Sequence, residues 1–113
     1  MIYSTISNEK KITFIILYIF IFNISSFKNI NAEDLFKKGK RIFLEDGNCA
    51  TCHTLEDANS IGNIGPNLNV IKPDISRVLM AVTNGIGVMP AYQGQLSAEE
   101  INAVAEYVVK TTN

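Results

Sequence analysis

The chain has 113 residues, room for one domain and no second. Ten Lys plus Arg stand against 11 Asp plus Glu for a net charge of −1, which lacks the basic footprint of a nucleic-acid-binding protein. Apolar residues make up 47% of the chain and tryptophan is absent.

Much of the apolar content lies in one run, Ile12 to Ile24, preceded by Lys10 and Lys11 and followed by Ser25, Ser26, Lys28 and Asn29. Basic, apolar and polar regions in that order are the layout of a secretory signal peptide. The competing reading is an uncleaved N-terminal anchor, but a spanning helix needs about 20 apolar residues and this run has 13. Cleavage after Ala32 puts Ile30 at position −3 and Ala32 at −1, an imperfect small-residue site. Residues 1–32 are therefore read as a signal peptide and 33–113 as a single domain outside the cytoplasm, in the periplasm. That domain carries seven Lys plus Arg and ten Asp plus Glu, a net charge near −3. At this size an apolar core alone contributes only about 3–5 kcal/mol, so a staple such as a buried cofactor is expected.

The first helix of the domain is predicted over Asp34 to Glu45, with Leu35, Phe36, Ile42 and Phe43 on its apolar side, Lys37, Lys38, Lys40 and Arg41 opposite, and Gly47 at its end. From Asn48 to Lys72 periodicity is lost, and Gly62, Gly65, Pro66 and several asparagines indicate a long irregular loop. A second helix opens at Pro73-Asp74, with Asp74 as N-cap and Ile75, Val78, Leu79 and Val82 at helical spacing, and closes at Gly85. After a glycine-rich stretch to Tyr92, Ser97 and Glu100 form a capping-box pattern ahead of Ile101, Val104, Ala105 and Val108. No strand pattern competes, so the expected class is all-α.

The only histidine and both cysteines of the chain fall in Cys49-Ala50-Thr51-Cys52-His53, the attachment pattern of haem c. On a helical turn, positions i, i+3 and i+4 share a face, so two thiols and one imidazole can meet a flat ligand. The thiols would form thioethers with the haem vinyl groups and the imidazole would bind iron. Three plainer readings compete, one of them that His53 is an ordinary surface histidine. A disulfide is allowed in an oxidising compartment, although a thioredoxin-like pair needs a βαβ context that is missing here. A structural zinc site normally takes four ligands, and these residues supply three.

For the opposite face of the iron, the domain offers Met80 and Met89. Met80 lies within the second helix beside Leu79 and reads as a core residue. Met89 lies on a glycine-rich loop before Pro90, which biases it to extended geometry. A His53 and Met89 pair raises the reduction potential and leaves no open position, which suits electron transfer better than binding of oxygen or peroxide.

Beyond the pentapeptide, Ile64-Gly65-Pro66-Asn67-Leu68, Val82-Thr83-Asn84-Gly85, Val88-Met89-Pro90-Ala91-Tyr92 and Leu96 to Ile101 give the domain a further likeness. With these motifs it resembles a class I cytochrome c, especially the small monohaem kind of bacterial and photosynthetic electron transport. The resemblance implies three or more short helices wrapped around one covalent haem c. It also implies that Pro66 accepts the Nδ1 proton of His53, that Gly65 and Leu68 line the haem pocket, and that Gly39 and Phe43 meet the last helix near Tyr107. The usual partners of the haem propionates are not evident, and Lys72, Arg77 and Tyr92 are the candidates for that task.

Three functions follow. The first is a monomeric periplasmic electron carrier, not an enzyme, that meets donor and acceptor proteins briefly. The second is a cytochrome c subunit of a periplasmic oxidoreductase complex. The third, a haem sensor or peroxidase, needs Met89 absent or labile.

Overall fold

The computed structural model describes the backbone of residues 8–23 and 31–113. Much of the signal-peptide reading, including position −3 at Ile30, lies outside the described residues. Within them, helix α1 (Asn8–Asn23) holds most of the apolar run, with Ile12, Phe14, Ile15, Ile16, Leu17 and Tyr18 all exposed. No helix among the described residues is long and apolar enough to cross a membrane.

The domain begins with α2 (Ala32–Arg41). Glu33 and Asp34 occupy its first turn and Lys38, Lys40 and Arg41 its last, an arrangement that complements the helix dipole. Glu33 also pairs with Lys37 one turn on, at 2.8 Å. The regular helix stops at Arg41, earlier than the expected Glu45, and the chain continues in one wide π-helical turn, Ile42–Asp46. The Gly47 amide closes that turn on the Ile42 carbonyl at 2.7 Å. Widening the turn keeps neighbouring Ile42 and Phe43 both inside the core, at 0% and 1% exposure.

The expected irregular loop is a series of short ordered pieces. A 3-10 turn (Cys49–Thr51) is followed by β1 (Thr54–Leu55), a second 3-10 turn (Glu56–Ala58), β2 (Ser60–Ile61) and α3 (Leu68–Ile71). β1 and β2 pair antiparallel, Thr54 with Ile61 and Leu55 with Ser60. This two-stranded ribbon is the one departure from an all-α fold among the described residues. Pieces of two to four residues are too short to show a hydrophobic period; local side-chain bonds specify them instead. Ser60 Oγ accepts from the Leu55 amide at 2.9 Å, and Asn67 Oδ1 caps α3 through the amides of Asn69 and Val70 at 3.0 and 3.3 Å.

Helix α4 (Ile75–Asn84) is capped by Asp74, whose Oδ1 accepts from the Arg77 amide at 2.9 Å. Val78 and Val82 face the core, whereas Met80 is 59% exposed on the opposite side. The expectation of a core methionine there is overturned: two residues from each valine, Met80 is turned by about 200° on the helix.

Helix α5 (Ala98–Thr112) packs against both α2 and α4. Its capping box is complete, with Ser97 N–H donating to Glu100 Oε2 at 2.8 Å and Glu100 N–H to Ser97 Oγ at 3.2 Å. Ile101, Ala103, Val104, Ala105, Tyr107 and Val108 are all buried. Where α2 crosses α5, a methyl group on Gly39 would stand 2.2 Å from the Ala103 carbonyl oxygen and 2.6 Å from Tyr107 Cβ. Only glycine allows so close a crossing. Phe36 and Phe43 then bracket the Tyr107 ring at centroid distances of 5.1 and 5.9 Å.

Candidate haem attachment site

Gly47 and Asn48 aim the Cys49 turn. Gly47 is buried, with space for a Cβ limited by the Ile42 carbonyl at 3.0 Å and Cys49 Sγ at 3.1 Å. Asn48 then takes a left-handed conformation (φ 50°), which asparagine tolerates better than most residues. The turn closes through Cys52 N–H and His53 N–H, which both donate to the Cys49 carbonyl at 3.1 and 2.9 Å. This single turn brings Cys49, Cys52 and His53 together. Both cysteines are free thiols and partly buried, and burial pushes the Cys49 thiol up to about 11, so it is protonated at neutral pH.

The imidazole of His53 is held by the segment that follows the ribbon. Nδ1 lies 2.8 Å from the Pro66 carbonyl oxygen. Because a carbonyl can only accept, Nδ1 carries the proton and Nε2 keeps its lone pair for a metal. Gly65 sits directly on the ring: a Cβ there would approach Cε1 to 2.5 Å and both nitrogens to within 2.9 Å. The Gly65 amide also donates to the Cys52 carbonyl at 2.8 Å. Leu68 starts α3 and is buried in the core at 8% exposure.

Met89 comes from a separate element, the loop after α4. Ile86 and Met89 exchange backbone bonds at 3.2 and 2.9 Å around a tight turn in which Gly87 has φ 56°. Gly85 (φ 72°) supports that turn from below, where a Cβ would come within 2.6 Å of the Met89 carbonyl oxygen. Tyr92 N–H and Gln93 N–H tie the loop to the carbonyls of Val82 and Thr83 at 2.9 and 3.3 Å. The Met89 side chain is partly buried against the core.

Two contributors play parts that the sequence did not assign to them. Tyr92, weighed from the sequence as a propionate partner, spends its hydroxyl on the Gly47 carbonyl and so joins the Met89 loop to the start of the Cys49 turn. Gly62 lies flat on that turn, where a Cβ would be 2.7 Å from the Thr51 carbonyl oxygen and 2.8 Å from that of Ala50. The one available signal was the close spacing of Gly62 and Gly65 after the pentapeptide. Lys72 and Arg77, the other propionate candidates, are both exposed.

The residues present fit a covalently held porphyrin. Two free thiols three residues apart precede an imidazole whose Nδ1 is held by the Pro66 carbonyl, and a glycine replaces any side chain that would crowd the ring. They fit a structural zinc site poorly, since two thiols and one imidazole supply three ligands where such a site normally takes four.

Short helices folded about a Cys-Xaa-Xaa-Cys-His turn define a c-type cytochrome domain. The chain belongs to the cytochrome c family: residues 34–108 match the family model described as cytochrome c oxidase, cbb3-type, subunit III. Cytochrome c6 of Microcystis aeruginosa is 38% identical over 77 residues, spanning 63% of this chain and 90% of that protein. Cytochrome c6 of Synechocystis is 30% identical over 99 residues, 80% of this chain and 78% of its relative. The crystal structure of the c-type cytochrome SorU from Sinorhizobium meliloti shares 54% identity, covers 71% of this chain and 93% of its own, and superposes with a TM-score of 0.67. With the family comes its cofactor, covalently bound haem c.

Proposed function

We propose that this protein is a small electron carrier, not an enzyme, whose haem c is attached through Cys49 and Cys52 with His53 and Met89 as axial ligands, and that it works outside the cytoplasm after export. The observation that carries the reading is the His53 geometry, with Nδ1 held by the Pro66 carbonyl at 2.8 Å and Nε2 free. When bound, the haem supplies a one-electron couple at its iron.

The protein's own residues do the rest. Cys49 and Cys52 would hold the haem by adding their S–H bonds across its two vinyl groups, sulfur to one carbon and hydrogen to the other, and the resulting thioethers would keep the cofactor from dissociating in dilute surroundings. Pro66 holds the imidazole in one tautomer and orientation, which strengthens it as a ligand. The Gly85 to Tyr92 loop presents the Met89 thioether, and a second protein ligand closes the position that a gas or peroxide would need. The ordered backbone bonds around both ligands limit reorganisation when the charge changes.

Visible spectra of the purified protein in both redox states test this reading. Expected are a sharp reduced α band that survives acid-acetone extraction and a weak far-red band in the oxidised form. The reduced protein should not bind carbon monoxide at neutral pH, and Met89→Ala should bind it rapidly. Rapid binding by the unaltered protein would overturn the assignment of Met89.

The description of the matched family, which names an oxidase subunit, favours a second reading as the cytochrome subunit of an oxidoreductase. Gel filtration of the native extract separates the two. A carrier elutes alone near its monomer mass, and a subunit elutes with its enzyme.

A further inference from the structure

Asp57 lies four residues beyond His53, in the 3-10 turn that joins β1 to β2. Its Oδ2 accepts from the Tyr107 hydroxyl at 2.6 Å and pairs with Lys40 Nζ at 3.0 Å. The same Nζ donates to the Asp57 carbonyl at 2.8 Å. Tyr107 belongs to α5 and Lys40 to α2, and Tyr107 is, with Ala103, one of the two residues against which Gly39 closes the crossing of those helices. One carboxylate therefore fastens the tip of the ribbon to the point where the two helices meet.

The ribbon also frames the imidazole. β1 begins at the residue after His53, and β2 runs into Gly62, whose carbonyl accepts from Thr54 Oγ1 at 2.8 Å. At the tip, the Glu56 amide donates to Asn69 Oδ1 at 2.8 Å. Asn69 lies three residues after Pro66, the partner of His53 Nδ1. Each segment that touches the ring thus leads back to the Glu56–Ala58 turn, and that turn is held by Asp57.

We propose that Asp57 is a positioning residue for His53: through the Thr54–Ile61 ribbon and Asn69 it sets the orientation of the imidazole from the α2–α5 crossing, and thereby tunes the reduction potential of the bound haem. The proposal rests on the reading of His53 as an axial ligand. Its chemistry is that of outer partners that orient a metal-bound histidine, extended through three or four residues of backbone.

A control exists within the same crossing. Lys38 and Glu99 also join α2 to α5, through a 2.7 Å ion pair, and among the described residues no hydrogen bond or ion pair links either of them to the ribbon. Loss of that pair weakens the crossing without releasing the turn at Asp57.

The test uses the oxidised holoprotein and reads electron paramagnetic resonance g values, which report the plane of an axial imidazole, together with the reduction potential. Asp57→Ala should shift both. Asp57→Asn, which keeps an acceptor for the Tyr107 hydroxyl, should restore them most of the way, and Glu99→Gln should leave both unchanged. Tyr107→Phe, which removes only the hydroxyl from a packed ring, should shift them in the same direction and serves if Asp57→Ala does not accumulate. Unchanged g values in Asp57→Ala or Tyr107→Phe, or an equal shift in Glu99→Gln, would overturn the proposal. Failure of the His53 assignment is seen separately, as a low-spin signal that survives in His53→Ala.

Discussion

Gly65 illustrates how little room surrounds the candidate ligand. Its missing side chain is what lets the Ile64–Pro66 backbone lie against the His53 ring, with Cε1 2.5 Å from where a Cβ would be. Gly65→Ala should push the imidazole off the Pro66 carbonyl and lower the yield of holoprotein several-fold, read as reduced α-band absorbance per unit of protein. A normal yield with an unchanged spectrum would show that the ring can shift without cost. The pentapeptide itself was legible because its chemistry is carried by residue type and spacing. The role of Tyr92 was not, because its acceptor, the Gly47 carbonyl, is 45 positions away and backbone carbonyls leave no mark in a sequence.

Helices were legible where caps and periodicity agree. Asp74 and Ser97 are both N-caps in the structure, and Glu100 completes the box at Ser97. Ser97→Ala should cost about 1 kcal/mol, the usual value for a lost N-cap, seen as a lower denaturation midpoint with unchanged visible spectrum. The α2–α5 crossing is less forgiving. With a new methyl 2.2 Å from the Ala103 carbonyl oxygen, Gly39→Ala must separate the helices, and about 1–3 kcal/mol of lost stability is expected for such overpacking. Helix propensity alone predicts the reverse sign, since alanine is favoured over glycine by roughly 1 kcal/mol in a helix interior. Chemical denaturation therefore decides between the two effects. The ribbon and α3 escaped the sequence reading because elements of two to four residues carry no period.

For the domain as a whole, acid should be the weak side. The Tyr107 hydroxyl and Lys40 hold the Asp57 carboxyl below its ordinary value, the Ser76 hydroxyl and the Arg77 amide do the same for Asp74, and the bonds of the capping box with Ser97 do so for Glu100. A carboxylate with a lowered folded-state value contributes stability that is complete above the ordinary range, about pH 4, and is lost as pH falls through the lower folded value. Thermal midpoints should therefore fall below about pH 4, the ordinary carboxylate range, and Asp57→Asn should flatten part of that fall. An identical acid limb in Asp57→Asn would show that the carboxylate gains nothing from its partners. The sequence by itself determined the class of cofactor, the starts of α4 and α5 and the apolar faces, because thiol spacing, caps and periodicity act over a few residues. Only the tertiary structure decided that Met80 faces outward, that Tyr92 links the Met89 loop to the Cys49 turn, and that Asp57 joins two helices to the ribbon beside His53. Those contacts close between residues far apart in the chain, and their geometry is set by the packing of α5 on α2 and α4 rather than by any local pattern.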